Sequence, residues 1–282
     1  KIIMKRKVKT KVKGFRTTDG AGVKLVRVLG NLTTKEFDPI LMLDSFDSIN
    51  PDDYTAGFPM HPHRGIETIS YVSRGKMVHR DSLGNEAGIS DGEVQWMNSG
   101  SGIMHEEMVP AAERLLGVQL WLNLPAKDKM SKPSYNSIKN EDIKEIEIEG
   151  GKIRLLAGKY GEHEGYKGDY LSMDYYDIHL NADAEVTLTM EEDDSVMVFT
   201  LLGDVYIDGE HIEEKTAVKL TEGDSLTIKN GNEKAQVLYM NSRALNEPVA
   251  WAGPIVMNTQ EELQKAFLEL RSNTFIKETA EY

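Results

Sequence analysis

The chain has no cysteine. Disulfides, thiolate-ligated zinc, iron–sulfur clusters and thiol nucleophiles are therefore excluded together. No apolar run reaches the roughly 18 residues that a membrane-crossing helix needs, so no membrane span is expected. The basic start, Lys1 to Lys13, is not followed by the apolar stretch of a secretory leader, and the expected compartment is cytoplasmic. Positive charge is in deficit: 33 Lys and Arg stand against 46 Asp and Glu, a net charge of −13. Such a surface repels phosphate backbones, so direct nucleic-acid binding is not expected. A Gly-x-x-x-x-Gly-Lys-Ser/Thr loop and a Gly-x-Ser-x-Gly elbow are both missing, which argues against ATP chemistry and serine hydrolysis.

What is present is an ordinary globular composition, 40% hydrophobic and 28% charged, over 282 residues. That length suits about two domains. Short β-prone segments recur, among them Val23–Leu29, Ile40–Asp44, Glu67–Val72, Gly117–Leu122, Lys152–Leu156, Val196–Leu202 and Ala235–Met240. Turn residues separate them, and this pattern indicates an all-β sandwich or barrel. The basic start reads as an amphipathic strand with Val8 and Val12 inward and lysines outward. A polar stretch from Pro125 to Asn140 reads as a crossover between two halves. Near the end, Thr259 with Glu262 forms a capping box, and Leu263, Ala266, Phe267 and Leu270 follow at helical spacing, which predicts a helix over 259–272. The halves look like weak repeats if Gly75 and Gly92 are matched to Gly203 and Gly223.

Two clusters carry chemistry. His61-Pro62-His63 puts two imidazoles at i and i+2, on one face of a strand. Some forty residues on, after glycines that permit a tight turn, His105 and Glu107 repeat that parity. Three histidines and a carboxylate suit a divalent transition metal: Fe(II), Mn(II), Co(II), Ni(II), Cu(II) or Zn(II). Four protein ligands in an octahedral shell leave two positions for substrate or dioxygen. His79, next to Asp81, reads as a turn residue. His163, His179 and His211 have no partner at ligand spacing.

These motifs resemble the bicupin arrangement of the pirin family. His61–Thr68 is similar to the family's HPHRGFET, His79–Asn85 to HRDSLGN, Gly102–Met108 to GIxHxEM, Gln119–Pro125 to QLWVNLP and Gly253–Thr259 to GPFVMNT. The resemblance implies two tandem cupin barrels, all-β with a short C-terminal helix. The first, residues 1–130, would bind metal; the second, residues 131–282, would not. It implies His61, His63, His105 and Glu107 as ligands of one ion, most often iron. In many single-domain cupins, however, the carboxylate ligand follows the His-x-His motif, where Glu67 stands here.

Some bacterial pirin-like proteins are similar to quercetin 2,3-dioxygenases. The implied function is ring opening of a flavonol-like aromatic substrate with O2, with Glu107 as catalytic base. Phe58, Met60, Trp96, Met97 and Met104 flank the candidate ligands and are candidate pocket residues, with Glu67 as a supporting partner. The alternative is a redox-responsive regulator that binds a protein partner without turnover. A third option is metal-assisted isomerisation or hydrolysis.

Overall fold

The computed structural model describes residues 2–279. Lys1, where the basic start begins, and residues 280–282, at the end of the expected second domain, lie outside the described residues. Strands dominate, and the expected segments appear with small extensions: Ile40–Ser48, Ile66–Arg74, Leu115–Asn123, Gly151–Ala157, Ser195–Leu202 and Ala235–Ser242, with Val23–Leu29 as read. The helix is Gln260–Arg271. Thr259 Oγ1 accepts from the Glu262 backbone N–H at 3.2 Å, and the Glu262 carboxylate accepts from the Asn258 N–H at 3.2 Å. Among the described residues no helix is long and apolar enough to cross a membrane.

Two compact units form, and neither is a continuous stretch of chain. One holds Phe15–Thr34, Ile40–Lys139 and Leu245–Tyr282; the other holds Lys1–Gly14, Lys35–Pro39 and Asn140–Ala244. This differs from a single cut at 130/131, and pairing supplies the reason. Strand Val8–Val12 joins Ala217–Leu220 antiparallel, with its lysines outward as expected. Strand Ser134–Ile138, inside the stretch read as a crossover, pairs with Glu93–Asn98. Helix Gln260–Arg271 buries Leu263 and Ala266 against Ala250, Ile255, Met257 and Phe275, which belong to the first of these units.

In that unit a seven-stranded antiparallel sheet runs Ser134–Ile138, Glu93–Asn98, Ile66–Arg74, Leu115–Asn123, Ile40–Ser48, Val23–Leu29, Phe15–Asp19. A four-stranded sheet runs Phe58–His63, Ile103–Met108, Met77–Asp81, Glu86–Ile89. Leu115–Asn123 is buried at every position, which explains its continuous rather than alternating apolar pattern. The other unit repeats both orders strand for strand. Its seven are Val8–Val12, Ala217–Leu220, Ser195–Leu202, Ala235–Ser242, Met173–Leu180, Gly151–Ala157 and Lys144–Ile148. Its four are Glu185–Thr189, Ser225–Asn230, Val205–Ile207 and Glu210–Ile212.

The duplication is real, but its register corrects the glycine alignment. Ile103–Met108 takes the place of Ser225–Asn230; with Gly75 kept on Gly203, Val78 matches Tyr206, and since Val78 pairs with Met108 and Tyr206 with Lys229, Gly102 rather than Gly92 answers to Gly223. Counting three residues on, His105 answers to Leu226, not to Gln236, where matching Gly92 to Gly223 would put it. Leu226 pairs with Leu188, and both sit in an apolar core with Val186 and Ile228. A fully buried side chain of this size contributes about 1.5–3 kcal/mol to stability.

Candidate metal centre

Strands Phe58–His63 and Ile103–Met108 pair antiparallel with His105 opposite His61. The i, i+2 parity of a strand then turns His61, His63 and His105 to one face. Their ligand atoms all lie within 4.8 Å of one another. His61 Nε2 is 3.0 Å from His63 Nε2 and 2.9 Å from His105 Nε2. The outer nitrogens face backbone acceptors: His61 Nδ1 is 2.7 Å from the Pro59 carbonyl, and His63 Nδ1 is 2.9 Å from the Pro254 carbonyl. An imidazole that donates from Nδ1 keeps a lone pair on Nε2. Lone pairs at about 3 Å repel unless a cation lies between them, so the donor set fits a metal ion. Burial, reinforced by the neighbouring rings, pushes His63 down to about 3 and His105 well below the ordinary range. Both rings are neutral donors at physiological pH.

Glu107 lies beyond a shift of register that sets it opposite Phe58. Its Oε1 is 3.8 Å from His105 Nε2, and the side chain is buried. Gln119 Nε2 donates to Oε1 at 3.1 Å and Gln95 Nε2 donates to Oε2 at 3.4 Å. Glu67 goes elsewhere. Gly65, at φ +86°, interrupts the strand, and a Cβ there would lie 1.9 Å from the Val256 carbonyl. This break removes the parity between His63 and Glu67. The Glu67 carboxylate instead accepts from Trp96 Nε1–H at 2.7 Å.

A cavity of about 610 Å³ opens on His61, His63 and Glu107. Of the pocket residues expected from the sequence, Phe58 lines it. Trp96 and Met97 are buried in strand Glu93–Asn98, and Met60 is half exposed. Met104 neighbours His105, and strand parity turns it to the opposite face. The walls come instead from Met42, Trp121 and Trp251, with Arg27, Asp19 and Asn31. Trp121 meets the His63 ring edge-on at 5.1 Å, and the Trp121 and Trp251 rings lie 5.5 Å apart. Arg27 bonds both oxygens of buried Asp44 and one of Asp19, each at 2.9 Å. Trp121 sits inside the Gln119–Pro125 motif, a signal that could have found it. Arg27 and Trp251 carry no such mark.

Family models match twice: Pirin over residues 22–122 and the Pirin C-terminal cupin domain over residues 175–276. The chain belongs to the pirin family. A Pseudomonas aeruginosa relative with the provisional name quercetin 2,3-dioxygenase is 39% identical, the match covering 92% of this chain and 94% of that protein. Human pirin is 35% identical over 95% of this chain and 93% of its own. The crystal structure of a quercetin 2,3-dioxygenase from Acinetobacter baumannii superposes with a TM-score of 0.88 at 30% identity, covering 96% of this pirin-family chain and 99% of that one. A bacterial pirin from Escherichia coli, solved with nickel(II), shares the fold at a TM-score of 0.65 and 19% identity, over 83% and 98% of the two chains.

Proposed function

We propose that this pirin-family chain is a metal-dependent dioxygenase of the quercetin 2,3-dioxygenase type. One divalent ion, Fe(II) ahead of Mn, Co, Ni, Cu or Zn, is assigned to His61, His63, His105 and Glu107. The observation that carries the reading is the convergence of three imidazole nitrogens, two of them on residues that line a cavity together with a buried carboxylate. Kinship with proteins named quercetin 2,3-dioxygenase supports the choice of substrate class.

Bound there, a redox-capable divalent ion supplies Lewis acidity and a path for electrons between an aromatic substrate and O2. The protein's own residues do the remaining work. Glu107, lining the cavity, is placed to take the 3-hydroxyl proton of a flavonol, which makes the ring electron-rich toward O2. The amides of Gln119 and Gln95 hold that carboxylate in place. Trp121, Trp251, Met42 and Phe58 offer apolar surface for flat rings and exclude water from the reacting face.

The test is anaerobic purification, metal quantification, Fe(II) loading, and quercetin absorbance followed with and without O2. We expect about one metal per chain and decay that requires O2 and disappears in His105→Ala. Turnover that survives in His105→Ala would overturn the assignment. Bound metal without any decay would move the reading to a redox-responsive protein that captures a partner.

A further inference from the structure

His79, which the sequence suggests is a turn residue, is 1% exposed and lies directly behind His105. Strand Met77–Asp81 pairs with Ile103–Met108 so that His79 opposes Glu107 and Asp81 opposes His105. His79 Nδ1 is 3.5 Å from His105 Nδ1, and its Nε2 is 2.6 Å from Asp81 Oδ2. Asp81 is itself held by the backbone N–H groups of Leu83 and Asn85 and by the Asn85 amide.

These contacts fix one another. His105 Nε2 faces the cluster and keeps its lone pair, so Nδ1 carries the hydrogen. His79 Nδ1 must then accept, which leaves the His79 hydrogen on Nε2, where Asp81 receives it. Tyr135 locks the arrangement. Its ring stacks on His79 with centroids 3.9 Å apart and planes 14° from parallel. Its hydroxyl donates to Gln95 Oε1 at 2.8 Å, which orients the Gln95 amide so that Nε2 faces Glu107. One tyrosine thus touches the supports of both His105 and Glu107.

We propose that Asp81, His79 and Tyr135 are positioning residues of the metal centre, setting the tautomer and plane of His105 and the Gln95 amide, one of the two that hold Glu107. This rests on the metal reading above. It predicts that partners outside the ligand set control metal affinity, where losses of 10- to 100-fold are typical.

The probe is Co(II) added to the metal-free full-length protein, with Kd from chelator competition and the visible ligand-field band as a second readout. His79→Leu keeps bulk but removes the acceptor, and should weaken Co(II) binding about 10- to 100-fold and shift the band. His79→Asn restores an acceptor near Nδ1 and should recover most of that loss, which a packing role would not. Tyr135→Phe keeps the stack, drops the hydroxyl, and should give a smaller loss with an altered band. Wild-type affinity and band in both His79→Leu and Tyr135→Phe would overturn the proposal. If circular dichroism shows His79→Leu unfolded, Tyr135→Phe alone decides by the same criterion. Wild-type protein that binds no Co(II) would overturn the metal reading itself; normal wild-type binding with unaffected variants would overturn only the positioning role.

Discussion

His63 Nδ1 meets the carbonyl of Pro254 at 2.9 Å, across 191 residues of sequence. The carbonyl belongs to the turn between strands Ala250–Ala252 and Ile255–Met257, on which the C-terminal helix packs. The orientation of a candidate metal ligand therefore depends on a segment that returns to its unit from the far end of the chain.

Arg64 braces that segment. Its Nε donates to the Ser101 carbonyl at 2.7 Å, Nη1 to Glu269 at 3.0 Å and Nη2 to the Phe275 carbonyl at 3.1 Å, and its guanidinium lies 4.3 Å from the Phe275 ring centre. Glu269 keeps Lys277 Nζ at 2.7 Å when Arg64 is removed, so the loss is that of buried charge-assisted hydrogen bonds, about 1.5–3 kcal/mol. We expect Arg64→Met to lower unfolding stability by that amount in urea titration, and to lower metal content at fixed metal concentration.

Glu67 and Glu107 should separate cleanly. Glu107→Gln should lose most bound metal while keeping the fold. Glu67→Gln should retain metal and lose only about 0.5–1.5 kcal/mol, because the amide oxygen that replaces the carboxylate can still accept from Trp96 Nε1–H. Metal analysis beside chemical denaturation distinguishes them. Metal loss confined to Glu67→Gln would reverse the choice of carboxylate.

Gly65→Ala combines a left-handed φ of +86° with a Cβ 1.9 Å from the Val256 carbonyl. The expected cost is at least about 3 kcal/mol, since backbone strain and overlap with backbone add. Soluble yield and thermal midpoint would register it.

Lys129 provides a pH signature. Its Nζ donates to the Gly65 carbonyl at 2.8 Å, to Asn123 Oδ1 at 2.5 Å and to the Val256 carbonyl at 2.9 Å, while burial pushes its pKa down to about 7. An unfolded lysine holds its proton to about pH 10. Between those values the unfolded chain binds more protons, so stability rises with pH. Below about pH 7 the cost of the buried ammonium is fully present. Urea unfolding from pH 7 to 10 should show this slope, and Lys129→Met should flatten it.

Metal removal should destabilise the protein. A ligand at about one hundred times its Kd adds about 2.7 kcal/mol. Divalent metal added to chelated protein should raise the thermal midpoint in a concentration-dependent way, with no such rise in His105→Ala.

Local order made part of this protein legible without coordinates. His61 with His63, and His105 with Glu107, share a face through strand parity alone, and Thr259 with Glu262 marks a helix start whatever the helix packs against. Alternating and continuous apolar runs marked most strands for the same reason. The repeat was visible but misregistered, because a glycine turn looks the same at every hairpin; only pairing shows that Gly102 answers to Gly223.

Tertiary structure decided what depends on strand order. Sequence neighbours such as Met104 proved poor guides to the cavity because adjacent strand residues point to opposite faces. Trp251 and Arg27 reach it from distant segments. Tyr135 stacks on His79 only because Ser134–Ile138 pairs with Glu93–Asn98, and Pro254 meets His63 only because residues 245–279 fold back onto their unit. Candidate ligands can be read from a local period, but the groups that hold them come from long-range pairings that no local period encodes.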